Sequence, residues 1–447
     1  MNLILGDGSV NTFHILTLVI FILAILHTFL ANHFVTWANH VEAIYVQKHK
    51  KEKPSKRISF IAEMLRFLGE IEIVFALWVI PLVIVIFSFY DWKTAINYLD
   101  TRLYEEPFFI VIVMSLASTR PIFQLAEKMI HFLAKRVGDT PGAWWLIVMT
   151  LSPILGSIIT EAAAITIGAL LLKNRFYNYG VSKKLAYSTL GLMFVNFSVG
   201  GMLTNLAAPP SLILSNCYKW GAADFFHQFG IKTLFGILGV NLAYFFIFRK
   251  EFQALKKKSS EWVVKKEEKI PLWITFAHLL FISWVIYMKE YSPIFTGTYL
   301  LFLGFHHATR PYQSQLSIRQ PLMVGLFLIG LIIHTEFQKW WIEQLLTHLN
   351  YGQMLLTGLV VTAFTENSIV ASLSCLIPDL TPLLKYALVA GFIAGGGLTV
   401  IAHAPNLVGQ TILKRYFRKG VSPLYLFLGA LGPTLVFVAI YYFFPPK

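Results

Sequence analysis

The chain has 447 residues, 56% hydrophobic and only 13% charged, with a mean hydropathy of +0.63. This excludes a soluble domain with a large core, and apolar runs of roughly 20 residues, in place of alternating segments of about 10, predict spanning helices and not a β-barrel. The net charge of +14 would suit nucleic acid, but the basic residues gather in particular loops between apolar runs and so predict topology and no nucleic-acid partner.

Taken in order, a first span is expected over about 13–35, running on into the basic segment at 48–57, which places the N-terminus outside. No basic stretch precedes that span, so it reads as uncleaved and not as a signal peptide. A second span is expected over about 66–90, with Glu70 and Glu72 about one turn in from the inner side. A third enters at Pro107 and is interrupted at Ser118-Thr119-Arg120-Pro121. An amphipathic stretch carrying Lys128, Lys135 and Arg136 follows on the inner side.

The next apolar stretch, about 143–172, is too long for one crossing at 1.5 Å per residue and is split by SPILGSIITE. Basic residues flank both ends, so it is expected to be a re-entrant hairpin with Thr160 and Glu161 near its turn. A broken span over about 185–215 then crosses outward, and another at about 229–248 returns to a basic cytoplasmic linker at 249–270.

The second half, 271–447, is expected to repeat the plan of 1–248 with inverted orientation. Spans at about 271–289, 292–309 and 321–337 precede a second hairpin at about 352–377, with Thr365, Glu366 and Asn367 at its middle. A second broken span at about 385–413 and a final span put the C-terminus outside. The fold class expected is thus an all-α membrane protein with about 10 transmembrane helices, two re-entrant hairpins and two broken helices.

The repeat is explicit at the breaks. Residues 200–213, GGMLTNLAAPPSLI, align without a gap on 395–408, GGGLTVIAHAPNLV, with seven of fourteen positions identical. Glycine and proline in mid-span (Gly200, Gly201, Pro210; Gly395, Gly396, Gly397, Pro405) require the helix to break, and broken backbone at membrane depth survives only where protein or a wet cavity supplies partners. Matched breaks in two halves point to a transporter's binding site.

Glu161 and Glu366 are the candidate proton- and cation-binding carboxylates, because a carboxylate at membrane depth can take up either a proton or a cation. Thr160, Thr365, Asn367, Thr204, Asn205, Thr399 and Asn406 are the expected neutral oxygen ligands. The plainer reading of the glutamates is that they cap the hairpins' half-helices. Secondary candidates are Glu70, Glu72, Arg120 and His403; the last replaces Ala208 of the first copy and serves equally well as a histidine satisfied within the bundle. Cys217 and Cys375, on separate segments without CxxC spacing, suggest neither a disulfide framework nor a metal site. No resident cofactor is expected, and the absence of a GxxxxGK[ST] loop leaves a gradient as the energy source.

At SIITEAAAITIGALLL, FSVGGMLTNLAAPPSL, FTENSIVASL and GGGLTVIAHAPNL, with GEIEIVFALWVIPL as a weaker flank, the chain resembles the ion-transporter superfamily. It looks most like a bacterial family of putative sodium/proton antiporters. The resemblance implies two inverted halves, each with a hairpin and a broken helix meeting at the site. Dicarboxylate carriers of that superfamily have Ser-Asn-Thr at both hairpin tips; Thr-Glu here would repel an anion and favours a cation. The expected function is secondary exchange of Na+ (or Li+) for H+ in the cell's inner membrane, in a chain that can form a homodimer. The alternative is a sodium-coupled carrier of a carboxylate or oxyanion; an intramembrane protease lacks its HExxH or GxGD motif here.

Overall fold

The computed structural model describes residues 11–48, 59–206, 208–258, 270–316, 318–377, 380–417 and 420–446, and in these it is all-helical, with no strand. The basic run expected at 48–57 therefore lies almost wholly outside the described residues, as do Ala207 of the first break and most of the linker after Lys258.

The first part of the chain forms α1 (Thr12–Lys48), α2 (Phe60–Leu68), α3 (Val74–Phe89) and α4 (Trp92–Asp100). Next come α5 (Glu105–Ala117) and α6 (Arg120–Val137), bent by 63° at the interruption expected there. They are followed by α7 (Pro141–Ile159), α8 (Glu161–Arg175), α9 (Lys183–Gly200) and α10 (Pro209–Cys217). A short α11 (Ala222–Phe225) leads through a π-helical turn into α12 (Ile231–Ile247), and α13 (Arg249–Lys258) opens the linker. Beyond it lie α14 (Leu272–Tyr287), α15 (Ser292–Ala308), α16 (Arg319–Thr335), α17 (Lys339–Leu346), α18 (Tyr351–Phe364), α19 (Asn367–Ser374), α20 (Pro382–Gly395), α21 (Ala404–Leu413) and α22 (Pro423–Phe443).

Six helical stretches among the described residues are long and apolar enough to cross a membrane: 12–31, 141–159, 183–203, 222–247, 319–346 and 423–443. The bent pair α5–α6 makes a seventh if it counts as one span. Helices α3 and α14, where full spans were expected, have 16 residues each, which reach roughly 24 Å. The expected span over 66–90 is not one helix. Gly69 ends α2, Glu70 and Glu72 lie in the break, and a 3-10 turn over Ile71–Ile73 leads into α3.

The helices form two compact units, residues 1–107 with 322–344, and 108–321 with 345–447, so each unit takes segments from both sides of the linker. The first unit has a core of Phe13, Ile20, Leu82, Ile86, Ala95, Ile333 and Phe337, on which Tyr98 stacks against Phe337 at 4.5 Å and donates a hydrogen bond to the Ile333 carbonyl at 2.5 Å. Glu70 and Glu72 belong to this unit. The second unit holds both hairpin candidates and both breaks, with Arg120 at the start of its α6.

One expectation fails outright. Cys217 and Cys375 form a disulfide, their Cα atoms 5.6 Å apart. The partners are 158 residues apart and belong to different sequence halves, so spacing could not reveal them; the packing of α10 on α19 brings them together.

Candidate functional site

The turn between α7 and α8 is a single residue. Thr160 ends one helix and caps the next, at φ +121° and ψ 144°, a conformation that β-branched residues rarely adopt and that is held in place by buried surroundings. Its hydroxyl accepts the Ala163 N–H at 3.3 Å, which satisfies a donor left open at the start of α8. Glu161 is thereby relieved of capping and is 1% exposed. Its Oε2 pairs with His403 Nε2 at 2.7 Å.

The second turn is built differently. Glu366 is itself the N-cap of α19, its Oε2 accepting the Ser368 N–H at 2.7 Å. Thr365 donates its hydroxyl back to the Val361 carbonyl at 2.9 Å. The capping alternative therefore describes Glu366 and not Glu161. Glu366 is also buried and lies within electrostatic reach of both His403 and Glu161, so carboxylates from the two turns share one imidazole.

The two Gly-Gly motifs hold equivalent positions. Helix α9 ends at Gly200 and, after a 3-10 turn over Gly201–Leu203, α10 begins with Pro209 and Pro210 in its first turn, where a missing N–H leaves no helical bond unmade. Helix α20 ends at Gly395, and α21 restarts with Pro405 in the same place. A Cβ on Gly200 would lie 2.8 Å from the Pro153 carbonyl oxygen, and one on Gly395 would lie 2.7 Å from that of Leu359, so both motifs seat backbone against the first helix of the preceding hairpin candidate. Thr204 donates to the Ser157 carbonyl at 2.5 Å, and its counterpart Thr399 to the Ala363 carbonyl at 2.9 Å. The repeated sequence thus makes a repeated pair of contacts.

The remaining glycines bring the breaks together. Gly201 faces the Glu161 carboxylate with no room for a Cβ, while Gly396 and Gly397 face Ser198 and the Val195 backbone of α9. Ser198 completes that crossing by donating to the Ile393 carbonyl at 2.7 Å. Across the second break, Asn406 donates to the carbonyls of Gly396 (2.8 Å) and Thr399 (3.0 Å) and faces His403, and the Asn367 backbone N–H donates to the Ala402 carbonyl at 3.0 Å.

Of the nine expected ligands, all but Asn367 have their side chains engaged within the protein, Glu161, Glu366 and Asn406 by the bonds already described. Thr160 caps, Thr365, Thr204 and Thr399 bond carbonyls, and Asn205 donates to the Ser215 hydroxyl at 2.9 Å. Open polar atoms remain on Glu161, whose Oε1 has no hydrogen-bond partner, on Asn406, whose Oδ1 has none, and on Asn367, whose amide has none at either end. Asn196, one turn before the first motif, bonds the Met149 carbonyl and Asn241 and so braces α7, α9 and α12. The signal that sequence reasoning undervalued is His403, the one polar residue among the motif's substitutions that pairs a carboxylate from the other half.

No curated protein matches the chain. Among solved structures it is similar to the YdaH transporter of Alcanivorax borkumensis, at 14% identity over 83% of this chain and 95% of that one, with a TM-score of 0.43. The model of the family described as "Putative Na+/H+ antiporter" matches residues 12–444, nearly the whole length, and the chain belongs to that family.

Proposed function

We propose that this membrane transporter exchanges cytoplasmic Na+, or Li+, for external H+ by alternating access, with Glu161 and Glu366 as the groups that proton and cation occupy in turn. The observation that carries the reading is the buried cluster in which Glu161 pairs with His403 at 2.7 Å while Glu366 lies within electrostatic reach of both. Two carboxylates removed from water repel each other, and one imidazolium neutralises only one of them. The second negative charge is relieved by a proton or by a cation, and the two reliefs exclude each other. That exclusion is the chemical requirement for exchange.

Each carboxylate opens a helix that follows a turn, beside a break whose flanking helices pack on the preceding hairpin, which supports reading the turns as re-entrant tips and the breaks as discontinuous spans. The disulfide supports the orientation. Such bonds persist in oxidising compartments, so Cys217 and Cys375 belong on the outer face, where charge asymmetry also puts the ends of the first broken span and the second hairpin. With that face outside, we read the chain on the ten-span inverted scheme with both termini outside.

Glu161→Gln and Glu366→Gln test the mechanism. Each is expected to lower Na+-driven proton movement in reconstituted vesicles at least tenfold while the protein still elutes as a folded species. Full activity in both single variants would refute the carboxylate role.

A further inference from the structure

The two halves offer equivalent breaks but not equivalent ligands. At the second turn Asn367 is 0% exposed, and neither its carbonyl oxygen nor its NH2 group has a hydrogen-bond partner in the protein. A fully buried amide left unsatisfied at both ends is destabilising, so such a group normally has a bound partner. At the first turn the matching position is Ala162, which makes no such demand. The matched threonines do not offset this difference, because Thr204 and Thr399 are engaged alike, each donating to a carbonyl and accepting a backbone N–H, from Leu206 at 3.3 Å and from Ala402 at 3.1 Å. Asn205 faces Ser215, and its counterpart is Val400.

Resting on the exchange reading above, we infer that the protein holds one cation per chain and not one per half, that Asn367 is its neutral ligand, and that the ion keeps at least one water. The Oδ1 atom of Asn367 is a hard oxygen suited to a small monovalent cation. Its NH2 group cannot face a bare cation and requires an acceptor, which a water in the ion's shell supplies. The backbone N–H of Asn367, bonded to the Ala402 carbonyl, fixes the amide beside the break that carries His403. The single ion is thus assigned to the second turn, next to the imidazole that the two glutamates share.

Equilibrium binding of radioactive Na+ to the purified full-length protein measures the count directly. One Na+ per chain is expected, with a half-saturating concentration raised about tenfold or more in Asn367→Ala, the loss of one good ligand contact. Asn367→Asp keeps an oxygen and is expected to bind Na+ more tightly than Asn367→Ala, a difference that an amide without contact to the ion would not produce. Two Na+ per chain, or an unchanged affinity in Asn367→Ala, would overturn the inference while leaving the exchange reading intact; no Na+ binding to the wild type would overturn both. Should Asn367→Ala fail to fold, the wild-type count still decides it.

Discussion

At the scale of single residues, the two glutamates do different work. Glu161 has an imidazole partner and no capping duty, and Glu366 caps a helix. Removing His403 would leave the Glu161 carboxylate buried without its partner, so His403→Ala is expected to destabilise the protein by about 3 kcal/mol or more. Adding Glu161→Gln to it should recover part of that loss, because the uncompensated charge disappears. Thermal unfolding of the two variants reads the difference; an equal midpoint for single and double variants would show that the pair carries no coupling. Gly201→Ala tests the same contact from the other side. A methyl there must displace the Glu161 carboxylate, so exchange should fall at least tenfold, whereas Gly239→Ala, which meets nothing within 4 Å, should leave it unchanged. Wild-type exchange rates in Gly201→Ala would contradict the close approach. The glutamates and glycines were legible in the sequence because each breaks an apolar pattern. The carbonyl partners of the Thr204 and Thr399 hydroxyls were not, since they lie on other helices and no spacing announces them.

At the scale of elements, turn positions were readable and pairings were not. A stretch of 30 apolar residues with Thr-Glu inside it has to turn somewhere, and the turn falls at Thr160. The break after Gly69 escaped because one glycine and two spaced glutamates scarcely lower the hydropathy of the run. In the structure a Cβ on Gly69 would lie 2.6 Å from the Val35 side chain and 3.0 Å from the Ala31 carbonyl, so the glycine lets the end of α2 pack tightly on α1. The disulfide escaped for a different reason, since it joins elements of different halves. It ties the far ends of α10 and α19, and α19 begins directly after Glu366. Cys217→Ser, or reduction by a membrane-impermeant phosphine, is therefore expected to lower the thermal midpoint by several degrees. Reduction from the outside should suffice. Protection from an external reductant in sealed, oriented vesicles would place the bond on the other face and reverse the proposed orientation.

At the scale of the molecule, composition settled the class, and the charge asymmetry supplied the orientation proposed above. Division into compact units was not legible, because contacts group segments from both sides of the linker, and sequence proximity carries no information about that. Function at this scale rests on one claim, that the buried carboxylates of the second unit exchange a proton for a cation. The direct test is proton movement in sealed proteoliposomes loaded with a pH-sensitive dye and challenged in turn with Na+, Li+, K+ and a set of carboxylates. The expected result is a rise in internal proton concentration or its reverse, set by the direction of the Na+ or Li+ gradient and abolished by Glu161→Gln. Silence with every cation, together with a response to a carboxylate, would contradict it and assign the protein to the anion carriers.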